Sequence, residues 1–342
     1  MKNFEYKRED GDKDVVVSVR VRLARNLDKT PFPGRCTAEA KRQIAEKIKN
    51  ALSSDKFNFT DMTSLSKEER ECFAESRNVS RDFISSPEGG MLITSKSSPN
   101  LFVMVNEEDH IRAQAIYDRM ALDEAFDEIM RFDDTLEDAL SKSSLSLAFD
   151  KDLGYLTSCP SNIGCGLRAS VMLHLPALSM SGKIQSLGEA LGKLGCNLRG
   201  SYGEGSQSAG TLYQISNRSS KGKTEKEIME SFKRICGEVI ETERKERIAL
   251  YKKNALSLED KIMRAYGTMR YARRIPSKEL TELYAYVRLG ISLGLEELPT
   301  YEALDRLAVE LMPAHLSLSD RSADDPYARD TIRADKLRAK LQ

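Results

Sequence analysis

Residues 15–23 read VVVSVRVRL. Val17, Val19 and Val21 fall on one face and Ser18, Arg20 and Arg22 on the other, the two-residue period of a β-strand. A strand with one apolar and one basic face belongs to a sheet buried on one side only. Further along, LFVMV at 101–105 is a second strand candidate and runs straight into NEEDHIR at 106–112. Amphipathic stretches lie between them at 38–53 and 66–75, and residues 113–149 read as helices. At 155–175, YLTSCPSNIGCGLRASVMLHL opens as a turn-rich loop. It then alternates Arg168, Ser170, Met172 and His174 with Ala169, Val171, Leu173 and Leu175, a strand ended by Pro176. A helix at 180–195, the Gly-rich RGSYGEGSQSAG at 199–210 and a strand at 211–216 follow. Ile228, Phe232, Ile235 and Val239 then mark one face of a long helix.

Beyond residue 253 the strand pattern stops. Helices are expected at 257–273, 277–293 and 299–311, punctuated by Pro276, Pro299 and Pro313, with Ser257 and Asp260 as the N-terminal cap of the first. The chain therefore divides into an α+β part, residues 1–250, and an all-helical part, residues 251–342. The 342 residues carry 53 Lys+Arg against 53 Asp+Glu, so overall charge directs the protein to neither nucleic acid nor anionic membrane. Neither a signal-peptide core nor a membrane-spanning run is present, and a cytoplasmic protein is expected. The six cysteines form no CxxC pair, and the three histidines lie far apart, so no zinc motif is legible and no metal is expected to be held by the protein alone.

The arginines carry the first chemical signal. Guanidinium forks stay charged and grip phosphate oxygens bidentately. Arg20 and Arg22 share a strand face, and Arg112, Arg168 and Arg199 each lie near a strand end or turn, where ligand sites are built. A solvated basic strand face fits Arg20 and Arg22 equally well when they are taken alone. The second signal is the run Glu107, Glu108 and Asp109 directly after an apolar strand. An acidic loop in water is the ordinary fate of such a run. The functional reading is a carboxylate that orients and deprotonates a guanidinium held in line with a γ-phosphate. A second carboxylate is best sought in Glu204, flanked by glycines in a loop suited to closing over phosphates. Cys159 is either a buried structural thiol or a group placed beside the substrate by neighbouring cations. We assign it an electrostatic and positioning role.

SVRVR at 18–22, NEEDHIR, CPSNIGCGLR at 159–168 and RGSYGE at 199–204 together resemble the phosphagen kinases, such as creatine and arginine kinases, over about residues 15–245. The resemblance implies a glutamine-synthetase-like α+β fold, an antiparallel sheet flanked by helices, with Mg2+ and ATP as cofactors. It implies a nucleotide site made by Ser18, Val19, Arg20, Val21, Arg22, Arg112, by Arg168, Ala169, Ser170, Val171, Met172, and by Arg199, Gly200, Ser201, Tyr202, Gly203, Glu204. Glu108 matches the carboxylate that acts on the guanidinium, with Glu107 beside it. Glu204 matches the loop glutamate of arginine-specific members, and Cys159 the active-site cysteine.

Small-molecule phosphagen kinases carry a helical domain of roughly one hundred residues before the first arginine strand. That domain is expected to be missing here, and helices follow the catalytic part instead. This arrangement resembles the bacterial protein arginine kinases of the McsB type. So do LRASVMLHLPAL at 167–178, QISN at 214–217 and RDTIRA at 329–334. In that branch the last motif, here Arg329, Asp330, Thr331, Ile332, Arg333 and Ala334, forms an allosteric phosphoarginine pocket, and two arginines four apart share a helical face. The branch implies protein substrates, a McsA-type zinc-binding activator, a heat-shock repressor, the ClpC–ClpP protease and a homodimer. The apolar face of Leu283, Val287 and Ile291 fits a dimer contact or an internal core. A kinase of free guanidino compounds and a phosphoarginine-binding adaptor are the rival readings. Two small substitutions depart from the branch, Val19 for Ser and Cys165 for Thr. The nucleotide-contacting His expected before the NEEDH strand is absent from ESRNVSR at 75–81, where Arg77 is the nearest substitute.

Overall fold

The computed structural model describes residues 6–53, 55–200, 209–323 and 325–341. Its ten strands are β1 (Val16–Arg25), β2 (Phe57–Asp61), β3 (Met91–Ser95), β4 (Leu101–Val105), β5 (Ile111–Tyr117), β6 (Phe149–Asp150), β7 (Gly154–Tyr155), β8 (Leu167–His174), β9 (Cys196–Gly200) and β10 (Leu212–Asn217). Eight of them form one antiparallel sheet in the order β2-β3-β4-β5-β1-β8-β10-β9, and β6 pairs with β7. The valine–arginine strand β1 lies near the middle, between β5 and β8.

The helices of the first part are α1 (Ala38–Leu52), α2 (Lys67–Glu75), α3 (Arg81–Ser85), α4 (Leu122–Lys142), α5 (Pro176–Met180) and α6 (Ile184–Lys193). After them come α7 (Glu225–Tyr271), α8 (Ser277–Ser292), α9 (Tyr301–Glu310), α10 (Pro313–Ser319) and α11 (Pro326–Lys340). One face of the sheet is the floor of the main core. Val19, Val21, Ala169, Val171 and Ile215 are fully buried there beneath Ile48 of α1, Ile129 and Leu136 of α4 and Phe232 of α7. Removal of each such valine, leucine, isoleucine or phenylalanine side chain from water stabilises the fold by roughly 1.5–3 kcal/mol. Ile228, Phe232, Ile235 and Val239 are all buried, so the helical spacing identified the packed face correctly.

Four details differ from the sequence reading. The stretch 113–149 is strand through Tyr117 and helix from Leu122, because Arg112, Gln114 and Ile116 alternate with alanines before the helical period begins. β2, β3 and β9 went unread; β2 and β9 are edge strands with one partner each and β3 lies between β2 and β4, so cross-strand pairing, not internal alternation, holds them in the sheet. The helix expected at 180–195 is α6, which starts only at Ile184; α5 precedes it, with Gly182 at φ +68 between the two. Finally, Ser257 caps nothing. α7 begins at Thr224, whose side chain and Glu227 form a reciprocal capping box, and runs through to Tyr271 with a kink at Asn254 (φ −144, ψ 42).

The second part is all helical, as expected. Its own core gathers Met269, Leu280, Val287, Leu304, Leu316 and Leu337. Val287 is fully buried, and Leu283 and Ile291 pack on the same cluster, so that face is spent inside the protomer. Val17, Met172 and Leu212 of the sheet also pack against this cluster, which seats the helices on one end of the sheet's second face. Buried arginines lock the seam. Arg288 of α8 pairs with Asp305 and donates to the carbonyls of Lys13 (2.6 Å) and Val16 (3.0 Å). Arg244 grips Asp14, and Arg247 pairs with Glu243 while donating to the carbonyl of His174. No helix among the described residues is long and apolar enough to cross a membrane.

Candidate active site

The antiparallel register sets the polar face. Arg22 stands opposite Arg168, Arg20 opposite Ser170 and Ser18 opposite Met172. Ser216 and Gln214 continue those rows on β10, and Arg199 on β9 continues the Gln214 row. On the other flank Arg22 faces Gln114 and Ala24 faces Arg112. Directly paired residues share a face, so Arg20, Arg22, Arg112, Arg168 and Arg199 all project from the side opposite the core.

These five cations crowd one another, with consequences for their charge. Burial lowers the Arg20 guanidinium to about 10, and Arg77 and Arg112 push it the same way. Burial, then Arg112, Arg20 and Arg168, lower Arg22 well below its ordinary value. Arg168 is lowered by burial and by Arg199 and Arg112. Arg22 Nε and Arg168 Nε are buried donors without an acceptor among the described residues. Crowded positive charge and unsatisfied donors on one face of the sheet fit a ligand with many anionic oxygens, and ATP carries such a triphosphate.

The acidic hairpin between β4 and β5 supplies carboxylates of two different kinds. Glu107 has a side chain only 3% exposed. It accepts from Arg112 at 2.5 Å, from Ser80 Oγ at 2.6 Å and from the Glu108 amide at 2.7 Å. Burial pushes its carboxyl up, but Arg112 and these donors outweigh that and leave it lowered. Glu108 is 41% exposed and only 3.4 Å from Arg112. Its carboxyl is raised, by partial burial and by Asp109 and Glu107, against the pull of Arg112. Glu107 is thus an ionised support for Arg112, while Glu108 is the accessible carboxylate with base character.

Neighbouring residues hold this hairpin still. Asp109 is fully buried and accepts from Asn26 Nδ2 and the Ser158 amide, both at 2.7 Å. His110 accepts from the Leu27 amide through Nδ1 and lies 2.9 Å from the Pro31 carbonyl through Nε2. Ser158 Oγ donates to the Glu108 carbonyl at 2.7 Å. The cysteine loop is thereby tied to the acidic hairpin, and Cys159 lies half-buried with Sγ 3.0 Å from Ser161 Oγ, near enough to Arg168 to act on its charge.

The segment 75–81, where a histidine was expected, lies over the arginine face. Arg20 donates to the Arg77 carbonyl at 2.8 Å and Gln114 to that of Asn78 at 2.5 Å. Arg77 takes a left-handed backbone (φ +62), and its cation is among those that lower Arg20. Ser80, Gln114, Ser158 and Ser216 were missed from sequence; the Arg112–Gln114 alternation was the one available signal for Gln114.

Other expected residues fall elsewhere. Val19, Val21, Ala169 and Val171 point into the core, so only their backbone borders the site. Met172 packs on the helical part. Ser201, Tyr202, Gly203 and Glu204 lie outside the described residues, and Gly200 ends β9. In the tail, Arg333 is 1% exposed and donates to the carbonyls of Leu311 and Ile275, to Ser277 Oγ and to Asp330. Arg329, one turn earlier, is half-buried and donates to the Ala323 carbonyl at 3.2 Å.

Comparison with known proteins bears on the same residues. The family model described as ATP:guanido phosphotransferase, C-terminal catalytic domain, matches residues 39–246. The chain belongs to the ATP:guanido phosphotransferase family. It is a guanidino phosphotransferase, and its helical part matches the protein-arginine kinase McsB C-terminal domain over residues 255–342. A protein-arginine kinase of Caldanaerobacter subterraneus subsp. tengcongensis is 38% identical over 336 residues, 96% of this chain and 98% of the relative. That of Bacillus subtilis is 36% identical over 341 residues, covering 98% and 92%. Among solved structures, lombricine kinase matches with TM-score 0.60 at 23% identity over 71% of this chain and 72% of that one. The duplicated taurocyamine kinase of Schistosoma mansoni, with bound transition state analog components, matches with TM-score 0.60 at 29% identity. That match covers 74% of this chain and 36% of the other. The phosphotransferase therefore has the phosphagen kinase fold read from its arginine strand, with the helical part of the protein-arginine kinases behind it.

Proposed function

We infer that this phosphotransferase moves the γ-phosphoryl group of ATP to a guanidinium nitrogen of arginine residues in proteins. The observation that carries the reading is the contrast between Glu107 and Glu108 beside a row of arginines: one carboxylate is consumed by Arg112, the other stands exposed with raised proton affinity. Arg20, Arg22, Arg112, Arg168 and Arg199 hold and neutralise the phosphates, with Arg77 adding charge where a histidine was expected. The facing groups are cations, so Mg2+ would be carried in on the phosphate oxygens, where it shields charge developing on the transferred group. Glu108 holds the planar acceptor guanidinium in line and takes its proton, and Glu204 is the second carboxylate gripping it. Cys159 sits beside the acceptor as a positioning group, not a nucleophile.

Protein arginine as acceptor is supported by the name borne by the full-length relatives and by the helical part shared with them. The cellular reading follows the same resemblance. The modified proteins are marked for ClpC–ClpP proteolysis in the cytoplasm during stress, with a McsA-type activator and a heat-shock repressor as partners. RDTIRA serves as the allosteric phosphoarginine sensor, in which Arg329 faces the ligand and Arg333 holds the segment. Homodimerisation has a surface available in Leu256, Met263 and Tyr271, exposed apolar residues spaced along the second half of α7.

The deciding experiment incubates the protein with Mg-ATP and an arginine-rich protein and maps the modified residues under non-acidic conditions. Acid-labile phosphate on arginine supports the reading. Modification of serine or tyrosine, or of free arginine alone, overturns it.

A further inference from the structure

Cys72 and Glu75 are three residues apart on α2 and share a helical face. α10 of the helical part brings His315 to that face. One ligand atom each from Cys72, Glu75 and His315 lies within 4.8 Å of the others, although the three residues span most of the chain. His315 Nδ1 is 2.8 Å from Glu75 Oε2, and its other ring nitrogen, Nε2, is 3.2 Å from Ser76 Oγ. The Glu75 side chain is 8% exposed and that of His315 23% exposed, so the cluster is sheltered yet reachable. Glu75 also accepts from the amides of Ala314 and His315, which fixes its carboxylate against α10.

We propose that Cys72, Glu75 and His315 form a zinc site that clamps the helical part onto the catalytic part. Thiolate, imidazole and carboxylate are the donors zinc takes, and three protein ligands leave a fourth position for water. The proton between His315 Nδ1 and Glu75 marks where the cation enters. On binding at Nδ1 the imidazole carries its proton on Nε2 and donates it to Ser76 Oγ, the outer hydrogen bond that fixes a ligating histidine. The Cys72 thiol loses its proton to solvent as the sulfur–metal bond forms. Glu68, Glu69, Glu71 and Glu75 place negative charge around Cys72 on the same short helix. A divalent cation supplies the missing positive charge. The site immediately precedes the 76–80 segment that Arg20 and Gln114 stitch onto the arginine face, so the metal would steady that segment from outside the reaction centre.

The test uses the full chain, stripped with a chelator and titrated with Co2+ and then Zn2+. One equivalent should bind with a thiolate-to-cobalt charge-transfer band, release about one proton per metal near neutral pH, and raise Tm. Cys72→Ser and His315→Gln should each lose the band and weaken binding beyond the roughly 10–100-fold cost of losing an outer partner, which Ser76→Ala should show. Cys36→Ser and Cys159→Ser should bind normally. Melting of the metal-free variants verifies that they fold, and His315→Gln serves if Cys72→Ser does not. Absence of the thiolate band, or a band that survives in Cys72→Ser and disappears in Cys159→Ser, overturns the proposal.

Discussion

Ser158 Oγ donates to the carbonyl of Glu108 at 2.7 Å, and the Ser158 amide donates to Asp109 next door. The loop that carries Cys159 and the hairpin that carries Glu108 are therefore one mechanical piece. Glu108 owes its position to backbone contacts, and its carboxylate, held only by a long 3.4 Å contact with Arg112, stays open to an acceptor.

Glu108→Gln keeps the shape of the hairpin and removes the carboxylate proposed as the base. Transfer should fall by about 10²–10⁴-fold, while ATP affinity measured by calorimetry stays within a few-fold. Parallel loss of nucleotide binding would assign Glu108 a structural role.

The acid limb of the pH–rate profile should report the same residue. Its carboxyl is raised, and a base works only when ionised, so kcat/KM should fall as pH drops through a pKa above the ordinary glutamate value of about 4.3. A limb at or below that value would contradict the assignment.

Arg22 has the opposite thermodynamic signature from most buried residues. Its charge is opposed by burial and by three neighbouring arginines in the free protein. Arg22→Met should leave Tm of the nucleotide-free protein unchanged or higher. It should nevertheless weaken ATP binding by about 10–100-fold, the worth of a charge-assisted contact.

Arg288 behaves in the conventional way. Replacement by Met strips a fully buried cation from Asp305 and leaves the carbonyls of Lys13 and Val16 without a donor. About 3–5 kcal/mol of stability should be lost, visible as a lower denaturant midpoint.

The two tail arginines should separate by readout. Arg333→Ala should lower Tm, since four partners lose their donor. Arg329→Ala should leave Tm nearly unchanged and abolish stimulation by phosphoarginine. Equal kinetics with and without the substitution would remove Arg329 from any sensor.

Much of this site was legible because it is written in strand alternation. Arg20, Arg22 and Arg168 announce a polar face by period, and the same period puts Val19, Val21, Ala169 and Val171 in the core, where their side chains cannot touch a nucleotide. What could not be read are contacts made by register and by distant packing. Nothing local pairs Arg22 with Arg168, ties Ser158 to Glu108 or carries His315 to Cys72. The different fates of Glu107 and Glu108 were equally hidden, since they depend on which carboxylate Arg112 and Ser80 reach. Ser257 and Asp260 were read as a cap because the helix does break nearby, but the non-helical residue is Asn254, three positions earlier, and helical hydrogen bonding carries on across it.

α7 joins the sheet's core to the core of the helical part as two helical stretches that meet directly at Asn254, whose backbone angles are not helical. No tether therefore separates the halves, and helical phase becomes a design constraint. Insertion or deletion of one residue near the bend would turn everything beyond it by about 100° and shift it by about 1.5 Å. Arg288 would then miss Val16, and Gly210, whose missing side chain gives Thr281 room, would no longer meet it. Length in this stretch is consequently as tightly specified as any side chain in the site.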